Sequence, residues 1–231
     1  PTRLARKLGT ADAVVIGLGA MLGAGVFAAL APAARAAGDG LLIGLLIAAF
    51  VAYCNATSSA VLAALHPESG GTYVYGRKRL GEAWGFLAGW CFVIGKLASC
   101  AAMALTFAAY AAPAFARPLA ALAVVVLTTV NYFGIAKTAL ATRIIVAVVL
   151  ACLALVVAAS LVGGSADPRR AVPTLGNGWN GILQAAGFLF FAFAGYARIA
   201  TLGEEVIAPE QTIPRAIPIT LGIVLVVYAL V

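Results

Sequence analysis

The chain has 231 residues, of which 64% are hydrophobic and only 10% charged; that leaves too little polar surface for a water-soluble domain of this length, so its solvent is in large part lipid. A formal charge of +7 does not point to nucleic acid, because the basic residues stand in short clusters between apolar runs and form no basic face interleaved with aromatics. Cys54, Cys91, Cys100 and Cys152 lie inside apolar runs without CxxC spacing, in a chain with one histidine, which argues against a metal or disulfide framework and reads them as small buried hydrophobes.

Uncharged runs long enough to cross a bilayer, about 20 residues each, recur along the whole chain and predict seven spans. The first, Ala11–Ala34, is too long and too glycine-broken for a cleavable signal peptide. Asp12 opens it and is expected to cap the helix rather than bind a ligand. Gly17, Gly19, Gly23 and Gly25 concentrate helix-weakening residues between Gly17 and Phe27, each lowering helix stability by about 1 kcal/mol relative to alanine. An interruption near mid-membrane is expected there. The alternative is close helix packing, since Gly19 and Gly23 also form a small-xxx-small pair.

The second span, Gly40–Leu65, ends at Pro67, Gly70 and Gly71, and Pro67–Tyr75 reads as a loop folding back against the helices. The third, Ala83–Ala112, carries Lys96 near its middle. A charge at that depth costs at least about 3 kcal/mol, so it is expected to face a cavity or a partner, and burial that lowers its pKa would suit proton coupling. The fourth and fifth spans, Pro118–Phe133 and Ala139–Val162, are followed by a turn at Gly163, Gly164, Asp167 and Pro168.

The sixth span, Gly178–Leu202, contains a second candidate interruption, Phe190 to Tyr196, leading into Arg198. Arg198 cannot lose its proton and is expected to pair with a carboxylate or free carbonyls, or, if it lines a cavity, to favour neutral or acidic substrates over cationic ones. Glu204 and Glu205 are expected near the cytoplasmic mouth as structural or gating partners for basic residues. The seventh span, Ile213–Val231, runs into the C-terminus and residue 1 is not a methionine, so a longer polypeptide is expected. Arg3, Arg6, Lys7, Arg77, Lys78, Arg79, Lys137, Arg143 and Arg215 fall on one side of this topology, against Arg35, Arg117, Arg169 and Arg170 on the other; the positive-inside rule makes the N-terminus cytoplasmic.

Interrupted helices are tolerated in lipid only where protein buries them or a cavity receives them, and two of them at corresponding places point to a carrier site built on repeats. The free N–H groups at the half-helix beginning near Gly23 to Gly25 would hold a carboxylate. Carbonyls around Met21 and from Phe191 to Ala194 would suit an ammonium group.

Four strings occur in order: IGLGAMLGAGVF (Ile16–Phe27), PESGGTYVYGRKRLGEAWGFLAGW (Pro67–Trp90), FFAFAGYARIATLGEEV (Phe190–Val206) and APEQTIPRAIP (Ala208–Pro218). Together they resemble the amino acid, polyamine and organocation transporter superfamily, especially its cationic-amino-acid-transporter-like branch. The resemblance implies an all-α integral membrane protein, the first part of a five-plus-five inverted-repeat, leucine-transporter-like bundle in which helices 1 and 6 are broken. Residues 11–162 would be the first repeat and 178–231 the start of the second. It also implies a carboxylate loop at Gly23, Ala24 and Gly25 with a carbonyl from Met21, an aromatic gate at Phe191, and an unwound segment at Ala194, Gly195 and Tyr196. Two positions depart from the family pattern: Ala197 stands where an acid often follows the glycine-aromatic pair, and Val149 stands where proton-coupled relatives often place a lysine.

The expectation is a secondary active transporter of amino acids across the cytoplasmic membrane, alternating access around a midplane site between helices 1 and 6. Its partners would be an amino acid or amine and the lipid bilayer, with protons as a candidate coupling ion, and no nucleic acid or cofactor. Lys96 and Arg198 are the coupling or gating candidates. A polyamine or other amine permease or exchanger is the nearest alternative; a channel shares the use of unwound backbone, and a seven-helix receptor leaves both interruptions unexplained. An enzyme is not expected, since no Ser-His-Asp set and no HExxH occur and His66 sits at a span end.

Overall fold

The computed structural model describes residues 7–23, 25–66, 68, 70–132, 139–163, 174–175 and 177–231. Ala24, and with it Arg3, Arg6, Pro67, Phe133, Lys137, Gly164, Asp167, Pro168, Arg169 and Arg170, lie outside these. The described residues form helices α1 (Thr10–Met21), α2 (Leu30–Ala37), α3 (Leu41–Leu65), α4 (Thr72–Leu80), α5 (Glu82–Ala111), α6 (Ala116–Tyr132), α7 (Ala139–Val162), α8 (Gly178–Phe193), α9 (Ala197–Ala200) and α10 (Pro209–Leu230). This is an all-α membrane protein.

Local chemistry sets the ends of α1. The Gly9 N–H donates to Asp12 Oδ2 at 3.1 Å, which satisfies one of the orphan amides of the first turn, and the same carboxylate pairs with Arg143 of α7. At the other end Leu22 leaves the helical region (φ −79°, ψ 46°). A π-helical turn over Gly25–Ala29 restarts the helix and leads into α2. Gly38, at φ +57°, then reverses the chain in the left-handed region open to glycine, and α3 returns antiparallel to α2.

Among the described residues six apolar stretches are long enough to cross a membrane. The first, Thr10–Leu65, has 56 residues; as a straight helix it would measure about 80 Å, far beyond a hydrocarbon core of about 30 Å. Because it folds back at Gly38, it divides into two apolar segments, residues 10–37 and Leu41–Leu65, at the positions of the first two predicted spans. Interlocking fixes their directions. Asn177, ahead of α8, donates from Nδ2 to Ala36 O at 3.0 Å, so α8 runs back along α2 and the π-helical turn, while Thr220 and Tyr228 of α10 meet Gly17 of α1 and Gly25 of that turn, so that α10 runs parallel to α1.

Burial is uneven. On α3, Gly44, Ala48, Ala52, Ala56, Ala60 and Ala63 form a buried stripe with near four-residue spacing; small side chains let backbones approach closely where lipid removes the usual hydrophobic drive. This stripe packs with α8 and α10, and together with α1 these helices make the core. α5 and α6 lie outside it with their aromatic and aliphatic side chains exposed.

The segment expected as a loop after Pro67 is in part helix: Gly71, at φ +63°, and Gly81, at φ +102°, bound the nine residues of α4. The seventh span begins at Pro209 rather than Ile213, with proline in the first turn, where a missing N–H costs nothing, and it continues through Pro214 and Pro218. The four cysteines are exposed on their helices rather than buried.

Candidate functional site

The two predicted interruptions cross, and two glycines decide how closely. A Cβ on Gly25 would lie 2.6 Å from Ala192 Cβ and 2.7 Å from its Cα, and one on Gly195 would lie 2.5 Å from the Ala20 carbonyl oxygen. Each glycine thus removes the side chain that would hold the other segment away. Gly17 is similarly occupied, against Ile199. Gly19 faces Val146 and Thr142 of α7, which suits a packing role, whereas Gly23 has only Met103 Sδ within 4.0 Å. The packing alternative therefore accounts for Gly17 and Gly19 but not for Gly23.

Beside this crossing, between it and α5, lies a cavity of about 1540 Å³. Of the residues predicted for the site, Met21, Gly23, Gly25, Phe191, Ala194, Gly195 and Tyr196 all border it, as do Lys96 and Arg198. Ala24 lies outside the described residues. Trp90, Phe86 and Phe190 add aromatic surface, and Ser99 and Asn55 add neutral polar groups.

The charges in this wall are few. Arg77 pairs with Glu82 at 2.9 Å. Lys96 places its Nζ 5.5 Å from the centre of the Phe92 ring, a cation-π distance, and Arg198 donates from an Nη to Thr201 Oγ1 at 3.2 Å. Among the described residues neither Lys96 nor Arg198 is in an ion pair. Glu205 also lines the cavity, and its carbonyl accepts from the Lys7 and Leu8 amides. Val149, at the departing position of α7, packs on the core as an ordinary hydrophobe.

Two features differ from expectation. The second interruption is not unwound: Ala194–Tyr196 is a single 3-10 turn between α8 and α9, with the Ala194 N–H shared by the Phe190 and Phe191 carbonyls, so most of its backbone remains satisfied. The Met21 carbonyl, expected to be open to an ammonium group, accepts the Tyr228 hydroxyl at 2.7 Å. Sequence reasoning missed Tyr228. Its only signal is a phenol in the aliphatic run from Leu221 to Val231, where a buried hydroxyl demands a partner.

At the surface that joins the ends of α3 and α5, the buried phenol of Tyr75 on α4 donates to Ala200 O at the end of α9 at 3.3 Å, and loss of solvent pushes its pKa up to about 12. Glu68, just ahead of α4, is held below the usual carboxylate range by the ion pair with Lys78.

Comparison with known sequences gives one family: a model described as amino acid permease matches residues 8–231. An uncharacterized transporter of Mycobacterium tuberculosis is 66% identical over 232 residues, which cover 100% of this chain and 52% of that protein. A branched-chain amino acid permease of Bacillus subtilis is 27% identical, covering 99% of this chain and 54% of the relative. A vacuolar cationic amino acid transporter of Arabidopsis thaliana is 29% identical, covering 100% and 43%. The chain spans about half the length of the curated relatives it matches.

Proposed function

Since the chain belongs to the amino acid permease family, we propose that it is part of a secondary active transporter that carries amino acids across the cytoplasmic membrane, alternating access around the cavity beside the α1–α8 crossing. The observation that carries this reading is the meeting of the two interrupted segments, through Gly25 and Gly195, at the wall of one cavity. Amides near Gly23 would take the substrate carboxylate. The ammonium would go to carbonyls left at the crossing, and the aromatic wall would take the side chain. Residues 11–162 would be the first repeat and 178–231 the beginning of the second.

A cytoplasmic N-terminus is the reading that the positive-inside rule supports, with Lys7, Arg77, Lys78, Arg79, Arg143 and Arg215 toward one end of the bundle and Arg35 and Arg117 toward the other. Lys96 and Arg198 favour a neutral or acidic substrate side chain over a cationic one, by like-charge repulsion in a poorly screened cavity. An amine lacking a carboxylate is the second reading, but it leaves the amides at Gly23 without an anion.

The test is uptake by the full polypeptide in proteoliposomes. Saturable uptake of a labelled amino acid, stimulated by the same amino acid inside, is expected; flux linear in concentration and indifferent to internal substrate would instead indicate a channel. If Lys96 relays protons, Lys96→Met flattens the dependence of uptake on external pH; an unchanged profile would remove Lys96 from coupling.

A further inference from the structure

Where the two interrupted segments cross, one side chain from a third helix touches both. Tyr228, near the end of α10, is 3% exposed. Its hydroxyl lies 2.7 Å from the carbonyl oxygen of Met21, the last residue of α1, and 3.2 Å from that of Ala192, in the last turn of α8. Its ring packs against Phe193 at 5.3 Å between centroids. A Cβ on Gly25 would come within 2.8 Å of the same hydroxyl oxygen, so the first interruption lacks a side chain where the phenol enters.

The chemistry of this arrangement is specific. A phenol carries a single proton, and two carbonyls from different helices compete for it at a buried position. Rotation about the C–O bond moves the donor from one carbonyl to the other without moving the ring. Whichever carbonyl holds the proton, the other is left without it, and both Met21 and Ala192 border the cavity. The ends of α1 and α8 are thereby tied to a common point on α10.

We propose that Tyr228 is a positioning residue for transport: its hydroxyl clasps the end of α1 to the end of α8, so that the two interrupted segments move as one body and present one free carbonyl to the substrate ammonium. This inference rests on the carrier reading above. Tyr228 does not line the cavity, so its effect is expected in the movement of the loaded protein rather than in substrate contact.

The experiment compares wild type, Tyr228→Phe and Phe193→Leu in the full polypeptide, measuring the number of substrate-binding sites in detergent and the uptake turnover per site in proteoliposomes. Tyr228→Phe keeps the ring and removes only the hydroxyl. It is expected to keep its binding sites within about twofold and to lose about tenfold in turnover per site, the factor associated with one hydrogen bond made in the rate-limiting state. Phe193→Leu disturbs the packing but keeps the hydroxyl, and is expected to keep turnover per site within about twofold of wild type. Unchanged turnover per site in Tyr228→Phe, or an equal loss in Phe193→Leu, would overturn the proposal. So would loss of binding sites in place of turnover, up to complete loss, since that is the mark of a hydroxyl needed only for folding. A wild type that carries no amino acid would remove the carrier reading and this inference together, whereas an active wild type with an unaffected Tyr228→Phe would remove this inference alone.

Discussion

α5, α6 and α7 are as apolar as the helices they surround, yet they are buried quite differently. Within the most apolar 18-residue window of each segment, 50% is buried in Gly178–Ala200 and 47% in Thr10–Leu65, but only 6% in Glu82–Ala111 and 11% in Thr142–Val162. Thr142–Val162 is the most apolar run of all, so hydropathy does not choose the interior. Close approach of backbones marks the buried set: α3 presents glycine and alanine from Gly44 to Ala63, against which larger side chains such as Ile182, Leu189, Ile213 and Ile217 are fully buried. In this chain, which spans about half the length of its relatives, α5–α7 leave Trp84, Phe86, Leu127 and Leu155 exposed.

The strongest way to break this contrast is to add one methyl group in each region. Gly195→Ala puts a Cβ 2.5 Å from the Ala20 carbonyl, a clash with backbone that cannot rotate away, and is expected to cost more than about 3 kcal/mol and to abolish uptake. Gly95→Ala on α5, at the cavity wall, meets nothing within 4 Å and is expected to leave stability unchanged or raise it by up to about 1 kcal/mol. Thermal unfolding in detergent with uptake in parallel checks both. Equal behaviour of the two would mean that the crossing is looser than described.

A smaller effect comes from the alanine stripe. Ala52→Leu, at a position with no exposure, is expected to cost about 2 kcal/mol through overpacking, whereas Leu127→Ala, 68% exposed on α6, is expected to change stability by less than about 0.5 kcal/mol in the same unfolding assay.

The smallest effect sharpens the comparison at the membrane surface, where α4 ties the outer α5 to the core. Tyr75→Phe loses one hydrogen bond to Ala200 and is expected to cost about 1 kcal/mol. The folded state holds this phenol protonated up to about 12, against 10.0 for an ordinary tyrosine. Its contribution is therefore complete below pH 10.0 and falls as pH rises from there to about 12, because the unfolded chain ionises first. Wild type should lose this increment over that window and Tyr75→Phe should not, as unfolding midpoints against pH would show.

Much of this was legible in the sequence, for definite reasons. Span number, the interruption near Gly23 and the gathering of Met21, Gly25, Phe191 and Gly195 follow from hydropathy, glycine clustering and family-like strings, all of which are local. Three things were not local. The length of α4 depends on Gly71 and Gly81 acting as stops, which a glycine-rich loop does not reveal. The 3-10 turn at Ala194–Tyr196 keeps hydrogen bonds that a glycine-aromatic string suggests are lost. The Tyr228 contact spans 207 residues to Met21, and no pattern within α10 announces it. The cysteines were misjudged because in a membrane helix an apolar neighbourhood does not separate a core face from an outer one.

The central claim, that substrate occupies the cavity beside the α1–α8 crossing, is tested most directly with two native cysteines. Cys100 lines the cavity and Cys152 is exposed on α7 away from it. In full-length protein retaining only one of the two thiols at a time, the rate of labelling by a membrane-permeant maleimide is measured with and without a transported amino acid. The account predicts that the amino acid slows labelling of Cys100 severalfold and leaves Cys152 unchanged. Labelling of Cys100 at the same rate with saturating substrate as without it would contradict the account.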